Sequence, residues 1–399
     1  MKPHVAIIDR VGYGKYRLPD GSPVLDPAVY DVTLITEAKL VGQPQQGECT
    51  RVFGFGIDDE EETRGVLRHL HAAHALQYLV CFPENLQIPV AASREELGIS
   101  GATAAEMLPF RDKDAMKETA RNSGIPVAEW RPIERNADAR PLLDKHGKIV
   151  LKPRDGAGSA GIFVIDDEAD LLALDADLRG YQAEQFIDAP MIHIDAVVAD
   201  GKAVVAPTSR YLSTTLSHTT RQPLASVVID EPVLLQRSRD FLERVIETFR
   251  VEDAVLHLEA FVTPEDIIFN EMARRAGGGG IVTLTQALTG FNLFESMVRM
   301  EVGLPLERSH PTVGAPGGGF VLFYAEAGTL ESIDDSSIPD DWIVERKLSV
   351  PVGGFYQPVG RAGGSIVSYV FSASSEKQAI ERAEAIQASV TLTVREGQE

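Results

Sequence analysis

The sequence contains few cysteines and no long apolar run. Cys49 and Cys81 are the only cysteines in the chain, and two are too few for a disulfide framework or a thiolate metal site. No stretch of about 18 or more uncharged apolar residues occurs, and the start MKPHVAIIDR lacks the basic, apolar and small-residue sections of a signal peptide. We therefore expect a cytoplasmic protein with ordinary thiols and no membrane partner.

Positive charge is also scarce. Lysine and arginine number 38 against 59 acidic residues, giving a net charge of −21. Such a surface repels polyanions, so we expect neither a nucleic acid nor an anionic membrane as partner, although a small anion could bind in a locally basic pocket. With 399 residues, 44% of them hydrophobic, the chain can bury a large core, and its length favours two or three lobes.

The first part of the chain alternates short β-rich runs with helix-like or loop segments such as 59–75. The runs HVAII, VTLIT, RVFGF and QYLVCF occupy 4–8, 32–36, 51–55 and 77–82. This alternation predicts a small parallel α/β sheet. The stretch 112–123 has helical composition and ends at Gly124, with Pro126 just beyond, so we place a domain boundary near residue 108.

Closely spaced strands follow from residue 149 onward, at 149–153, 161–166, 181–187, 192–200 and 202–207, with a helix near 167–177. Asp200-Gly201 between two apolar runs is a strong hairpin signal. Further helices are predicted at 233–249, 281–289, 291–302 and 375–393. We predict an N-terminal α/β domain at 1–108, a small lid lobe at 109–195 and a large C-terminal lobe at 196–399.

The segment HLEAFVTPEDIIFNEMARRAGGGG places two glutamates in strand-like runs. If residues 264–266 form a three-residue hairpin loop, Glu259 lies directly opposite Glu271, with β-carbons roughly 4.5 to 5.5 Å apart. Neighbouring carboxylates repel unless one is protonated or a cation lies between them. Oxygen ligands suit Mg²⁺ or Mn²⁺, usually together with substrate phosphates. The alternative is that both glutamates face solvent, and a register slip of one residue would separate them.

The segment KIVLKPRDGAGSAGIFVI indicates a phosphate site. Lys152 ends a strand, and the loop 156–161, which contains Gly158 and Ser159, brings backbone N–H groups close to an anion. A strand and not a helix follows the glycines, which excludes a P-loop. Such a loop is alternatively only a mobile turn. Lys113, at the start of a predicted helix, is either a second phosphate ligand or a solvated surface lysine.

The segment AEQFIDAPMIHID lies between these two candidate sites. An unpaired strand edge here would offer the Gln185 carbonyl and the Ile187 N–H to an adenine, with Glu184 or a nearby carboxylate at the ribose. His193 shares a strand face with Asp195, and we interpret this histidine as buried and hydrogen-bonded.

These motifs occur in an order that resembles the ATP-grasp superfamily of carboxylate-amine ligases, in particular the branch of the L-amino-acid ligases and biotin carboxylase. RDKDAMKETARNSGIPVAEW resembles its first ATP-binding helix, KPRDGAGSAGI its phosphate-covering loop, EQFIDAPMIHIDAVVADGK its adenine hinge, and HLEAF with FNEMARRAGGGG its metal-binding strands. The resemblance covers nearly the whole chain. It implies the α/β (α+β) ATP-grasp architecture of three lobes, with the nucleotide between the lid lobe and the large antiparallel lobe.

The resemblance also implies roles for individual residues. Expected ATP ligands are Lys113, Lys152, Gly158, Ser159, Glu184, Gln185, Ile187 and Asp195, and expected ligands of Mg²⁺ (or Mn²⁺) are Glu259 and Glu271. Arg275 would hold the substrate carboxylate or acyl phosphate and, with Lys152, take part in catalysis. Two departures matter: Ala273 replaces a common metal-binding asparagine, which puts a second metal ion in doubt, and Arg274 occupies a usual proline position.

The activity implied is that of an ATP-dependent ligase that activates a small carboxylate, such as an amino acid, as an acyl phosphate and couples it to an amine. Gly278 and Gly279 belong to a glycine run that either binds the substrate carboxylate or is a flexible link. Arg210 and His218 are expected to line the acceptor pocket or, alternatively, to be surface residues. Two other readings stay open: a larger acceptor, such as a peptide or carrier-protein thiol, and a silent nucleotide-binding regulatory module. Members of the family often form homodimers.

Overall fold

The computed structural model describes residues 2–311 and 314–397. Near the N-terminus, a parallel sheet in the order β3-β2-β1-β4 consists of β1 (His4–Asp9), β2 (Asp31–Thr36), β3 (Arg51–Gly54) and β4 (Tyr78–Cys81). The apolar runs of β1 and β2 are almost wholly buried, as strands covered on both faces require. The accompanying helices are α1 (Glu60–His74), α2 (Gln87–Leu97) and α3 (Ala104–Met107). All four predicted strands are confirmed, and the segment 59–75, expected to be helix-like or loop, contains helix α1.

A second, antiparallel sheet forms the lid lobe, in the order β5-β8-β6-β7. Its elements are α4 (Lys113–Asn122), β5 (Trp130–Ile133), α5 (Asn136–His146), β6 (Ile149–Pro153), β7 (Phe163–Ile165), α6 (Glu168–Ala173) and β8 (Tyr181–Gln185). Leu142 and Leu143 of α5 and Leu171 of α6 pack on Leu151 and Ala183 of the sheet. Neither β5 nor α5 was predicted from the sequence, and α6 is shorter than the helix expected at 167–177.

A large antiparallel sheet carries most of the remaining strands, in the order β14-β13-β9-β11-β12-β15-β19-β17, with β10 paired to β9. The strands are β9 (Met191–Ala199), β10 (Lys202–Val205), β11 (Thr208–Tyr211), β12 (Leu224–Val228), β13 (Ala254–Val262), β14 (Ile267–Ala273), β15 (Gly317–Phe323), β17 (Ile343–Leu348) and β19 (Val367–Ala373). Asp200 and Gly201 both have positive φ, 50° and 71°, which confirms the predicted β9–β10 hairpin. The expected lobe boundary at residue 195 falls inside β9, so we propose that the division lies between Gln185 and Met191.

Helices cover both faces of the large sheet. They are α7 (Ser217–Thr220), α8 (Pro232–Thr248), α9 (Ile281–Thr289), α10 (Leu293–Glu301) and α11 (Glu376–Ser389). Phe241 and Val245 of α8 pack against β9, β13 and β14, whereas Ile281 of α9 and Leu293 of α10 pack on the opposite face. Val298 of α10 also joins the core of the N-terminal sheet, so α10 connects these two lobes.

The end of the described chain is a strand where the sequence analysis expected helix. The helix predicted at 375–393 ends at Ser389, and β20 (Thr391–Glu396) pairs with β16 (Gly328–Asp334), which also pairs with β18 (Phe355–Tyr356). Polar and apolar residues alternate in TLTVRE, and Leu392 and Val394 pack against the core beside α11. This period of two favours a strand.

Short 3-10 helices occur at Tyr13–Tyr16, Ala38–Leu40, Glu84–Leu86, Leu108–Phe110 and Asp340–Trp342. Among residues 2–311 and 314–397, no helix combines the length and apolar character needed to cross a membrane.

Candidate active site

The paired glutamates lie opposite each other on β13 and β14, as predicted. Glu259 pairs with Glu271, but the hairpin closes at Val262 and Ile267, so its loop is 263–266, one residue longer than expected. The register then shifts by one residue between Glu259 and Ala260, because Asn270 is an extra residue in β14. This β-bulge compensates for the longer loop and keeps the two carboxylates on the same face.

The environment of the pair keeps at least one carboxylate ionised. The Tyr211 hydroxyl donates to Glu259 Oε1 at 2.9 Å, and His257 Nε2 lies 3.5 Å from the same oxygen. Burial raises the pKa of Glu259, but its interactions with His257 and Tyr211 outweigh burial and lower it. Glu271 is more exposed and lies 3.4 Å from Lys113 Nζ. Opposed carboxylates in a cleft, with oxygen ligands only, fit a divalent cation of the Mg²⁺ type.

A buried network of charged side chains lies next to this pair. The Glu184 carboxylate of β8 forms salt bridges with Lys152 Nζ of β6 at 2.7 Å and with Lys117 Nζ of α4 at 3.2 Å. Burial raises the pKa of Glu184, but the attraction of the two lysines lowers it overall. Burial lowers the pKa of Lys117 to about 8, against the opposing attraction of Glu184. Lys152 is also buried, yet Glu184 and Glu271 raise its pKa, so it remains a cation.

Hydrogen bonds connect this network to the metal-binding hairpin and the lid. The Asn270 side chain accepts from Lys152 Nζ at 3.1 Å, and its backbone carbonyl accepts from Lys117 Nζ at 3.2 Å. Lys113 Nζ donates to the carbonyl of Gly156 at 2.6 Å. Lys113 and Lys152 therefore line one small pocket together with Glu271 and the glycine loop, where their charges could neutralise phosphate oxygens.

A slot of about 400 Å³ opens between the lid sheet and the large sheet. Its apolar side chains include Val150, Ile162, Phe186, Leu212 and Phe261, and its predicted nucleotide-binding residues are Lys152, Ser159, Glu184, Gln185 and Ile187. Glu259 and Glu271 line the same slot. A slot that combines apolar side chains with a lysine and paired carboxylates offers suitable partners for the base, the phosphates and the metal of a bound nucleotide.

The glycine loop 156–161 lies between this slot and a second, larger cavity. Ser159 lines both cavities, and Gly158 lines the larger one. Both residues have positive φ, 60° and 63°. The Gly158 carbonyl accepts from the backbone N–H of Ala362 at 2.8 Å, so the lid loop rests on a loop of the large lobe.

The larger cavity measures about 630 Å³ and contains the predicted substrate residues Arg275, Gly278 and Gly279. Arg275 Nε donates to Glu84 Oε2 at 2.5 Å, and Arg111 Nη1 donates to Glu84 Oε1 at 2.6 Å. The Arg274 guanidinium instead donates to the carbonyl of Asp253 at 2.8 Å and does not line this cavity. Of the two arginines, Arg275 is therefore the one that lines this cavity.

Close packing explains why glycine occupies both ends of the run 277–280. A β-carbon on Gly277 would lie 2.8 Å from Asp195 Oδ1 and 2.8 Å from His257 Nδ1. A β-carbon on Gly280 would lie 2.5 Å from Phe320 Cβ. The run passes too close to the sheet for side chains at these positions, while the intervening glycines line the cavity.

Three predicted site residues lie elsewhere. Arg210 forms a salt bridge with Glu376 Oε1 at 2.7 Å. Successive residues of a strand face opposite sides of the sheet, and Tyr211 faces the cavity, so Arg210 faces away from it. His218 is buried, lies 6.3 Å from the Tyr324 ring between centroids and borders neither of the two cavities. Asp195 is buried between His193 Nδ1 at 2.6 Å and His257 Nδ1 at 2.8 Å, and it does not line the nucleotide slot. His193 is buried and hydrogen-bonded, as expected.

Several residues of the site were missed in the sequence analysis. Lys117 lies four residues after Lys113, and this spacing places both lysines on one helical face. The spacing could therefore have identified Lys117 as a second lysine of the site. Glu84 and Asn270 gave no comparable signal. The partners of Glu84 are distant in the sequence, and the bulge at Asn270 has no sequence motif. The other missed residues are Arg111, Tyr211, Asp188 and His257.

The two cysteines are unsuited to nucleophilic chemistry. Burial raises the pKa of Cys49 to about 11 and that of Cys81 to about 12. Both thiols therefore stay protonated near neutral pH.

Comparison with known proteins supports the fold. No family model matches the chain. It is 27% identical over 221 residues to an L-arginine-specific L-amino acid ligase of Bacillus subtilis; the match covers 52% of this chain and 54%, about half, of that relative. The crystal structure of an L-amino acid ligase from Bacillus licheniformis superposes with a TM-score of 0.77 and 17% identity, covering 99% of both chains.

A biotin carboxylase domain is also similar. It belongs to the 2-oxoglutarate carboxylase of Hydrogenobacter thermophilus, solved as a dimer with MgADP, ADP and bicarbonate, and matches with a TM-score of 0.70 and 16% identity over 99% of this chain and 91% of that one. The expected resemblance is thereby confirmed for the architecture: the chain has the ATP-grasp fold that it shares with these two structures over nearly its whole length.

Proposed function

We propose that this protein is an ATP-dependent carboxylate-amine ligase that joins an amino acid, or a similar small carboxylate, to an amine and releases ADP and phosphate. The observation that carries the proposal is the Glu259–Glu271 pair at the junction of the two cavities. One cavity has the form of a nucleotide slot, and the other contains Arg275 and open space for a second molecule. The likeness to L-amino acid ligases supports this assignment.

The proposed reaction has two steps. A carboxylate oxygen attacks the γ-phosphorus of ATP, giving an acyl phosphate and ADP; the amine then attacks the acyl carbon, and phosphate leaves. Mg²⁺ held by Glu259 and Glu271 would neutralise charge on the phosphates. The protein supplies positioning and electrostatic stabilisation, not a covalent nucleophile.

Individual side chains divide this work. Lys152 and Lys113 would contact phosphate oxygens, because both ammonium groups lie beside the slot and near Glu271. Arg275 would orient the carboxylate, since Glu84 holds its guanidinium at the cavity wall. Removing one such preorganised charge costs on the order of 3 kcal/mol in the transition state.

The adenine and ribose would occupy the apolar half of the slot. Gln185 and Ile187 border it at the link between β8 and β9. Glu184 borders it as well, but two lysines already bind its carboxylate. We therefore propose Asp188, which lines the same slot, as the carboxylate nearest the ribose, and a structural role for Glu184.

The test is release of ADP with amino acids supplied singly and in pairs. We expect ADP formation that depends on Mg²⁺ and on particular pairs, with a peptide or amide as the coupled product. Formation only with peptides or carrier-protein thiols would favour a larger acceptor. ATP binding without turnover under any condition would refute the ligase proposal and favour a regulatory module.

Glu271→Gln provides a sharper version of this test. The change removes one charge of the metal pair while keeping the size of the side chain, so Mg²⁺-dependent ADP formation should fall at least about a hundredfold. Because Glu271 is partly exposed, the free energy of unfolding should change little. Glu265→Gln, on the exposed loop of the same hairpin, is the matched control and should keep full activity. Equal activity of both variants would remove the metal assignment.

A further inference from the structure

One wall of the larger cavity is apolar and spans two parts of the fold. Leu224, Phe320 and Leu322 extend from β12 and β15, and Phe294 and Met297 extend from α10. All five belong to, or pack against, the same core cluster. The wall is therefore a rigid apolar surface and not a set of mobile loop side chains.

This wall lies directly beside the glycine run that follows Arg275. A β-carbon on Gly279 would lie 3.2 Å from Leu322 Cδ1 and 3.6 Å from Phe320 Cε2. A carboxylate held between Arg275 and this run would carry its α-substituent next to the same two side chains. The substituent would thus meet the apolar carbon atoms of this wall.

Carboxylates that line the cavity already have partners. Glu84, which is largely buried, binds both Arg111 and Arg275. Asp58 is solvent-exposed, binds Arg10 and accepts from Asn85 Nδ2 at 3.1 Å. A guanidinium or ammonium packed against the apolar wall would have to displace one of these partners or lie unpaired there, and burying an unpaired charge is costly.

We propose that the substrate whose carboxylate is activated carries an uncharged, apolar side chain that packs against the wall of Leu224, Phe294, Met297, Phe320 and Leu322. This inference rests on the ligase activity proposed above and specifies its donor substrate. It separates the chain from the curated relative named an L-arginine-specific ligase. Among the described residues 2–311 and 314–397, Glu259 and Glu271 line the cavity as the proposed metal pair, and Asp155 lines it from the solvent-exposed lid loop.

Side-chain preference can be measured by kcat/KM for ADP formation. Leucine, methionine and phenylalanine should exceed arginine and glutamate at least about tenfold as donor, because each methylene in an apolar pocket contributes about tenfold or more. Met297→Ala should raise KM for methionine and leucine about tenfold and shift the preference to larger donors. Met300→Ala is the matched control, since Met300 lies on the same helix and is packed in the core outside the cavity lining.

The outcomes separate the two proposals. Arginine as the preferred donor, with that preference abolished by Asp155→Asn, would overturn this inference and leave the ligase activity intact. The same change in substrate preference in Met297→Ala and Met300→Ala would also overturn it, because the effect would then be one of helix stability. No ADP formation with any amino acid would overturn both. Urea unfolding of each variant identifies loss of folding, and Met297→Leu provides a second, milder variant for the same comparison.

Discussion

The buried network of Glu184, Lys117 and Lys152 gives a quantitative prediction about the connection between lobes. Glu184 and Lys152 belong to the lid sheet, while Lys117 reaches them from α4 and also binds the backbone of β14. Lys117 is 0% exposed, so its amine has no water to replace a lost partner. Lys117→Met and Glu184→Gln remove one charge each while nearly conserving volume.

The two variants should differ in cost. Breaking a buried ion pair costs about 3–5 kcal/mol when it leaves a charge uncompensated. Glu184→Gln leaves two buried ammonium groups facing a neutral amide, so we expect about 4 kcal/mol. Lys117→Met leaves Glu184 with Lys152 at 2.7 Å, so we expect about 2 kcal/mol. The double variant should cost less than the sum by about 1 kcal/mol or more, because the second change removes part of the imbalance created by the first.

Urea unfolding of the four proteins, followed by circular dichroism, measures this coupling. Lys145→Met serves as the control, because Lys145 and its partner Glu129 are 60% and 44% exposed, and surface pairs contribute about 1 kcal/mol or less. The reasoning would be refuted by costs in Lys117→Met no larger than in Lys145→Met, or by strictly additive effects in the double variant.

Three further changes test other parts of the structure. Gly277→Ala should lower the free energy of unfolding by about 1–3 kcal/mol through overpacking, since its β-carbon would meet Asp195 and His257 at 2.8 Å each; unchanged urea stability would contradict this close approach. Burial lowers the pKa of His257, but its interactions with Asp195 raise it overall from 6.5 to about 10. The ion pair therefore contributes its full stabilisation of the folded state below pH 6.5. Between pH 6.5 and about pH 10, this contribution to the free energy of unfolding falls by about 1.4 kcal/mol per pH unit. Unfolding titrations should show this slope, and His257→Gln should flatten it; an identical pH profile would exclude it. Shortening the loop 156–161 should raise the ATP concentration needed for half-maximal ADP formation, and an unchanged value would show that the loop does not cover phosphate.

Local patterns in the sequence predicted the strands and the paired glutamates because both depend on neighbouring residues. Period-two alternation places Leu256, Leu258 and Ala260 in the core, which turns Glu259 to the other face. The hairpin loop was nevertheless predicted one residue too short. Glu259 still lies opposite Glu271 because the bulge at Asn270 compensates for the extra loop residue. No local pattern in the sequence indicates that bulge.

Contacts between distant segments could not be predicted in the same way. Arg275 and Glu84 are 191 residues apart, so only the packing of the N-terminal lobe on the large lobe brings them together. Arg210 lines neither of the two cavities, and the sequence left its position open because the short strand β11 carries too few apolar residues to show which of its faces meets the cavity. Its neighbour Tyr211 has that position and reaches Glu259.

The central claim is that one divalent cation binds between Glu259 and Glu271 at the end of the nucleotide slot. A crystal structure with ADP and Mg²⁺ tests it most directly. The account predicts metal density about 2.1 Å from an oxygen of each carboxylate, with the diphosphate beside Lys152. Nucleotide bound in the slot with no metal contacting either glutamate would contradict it.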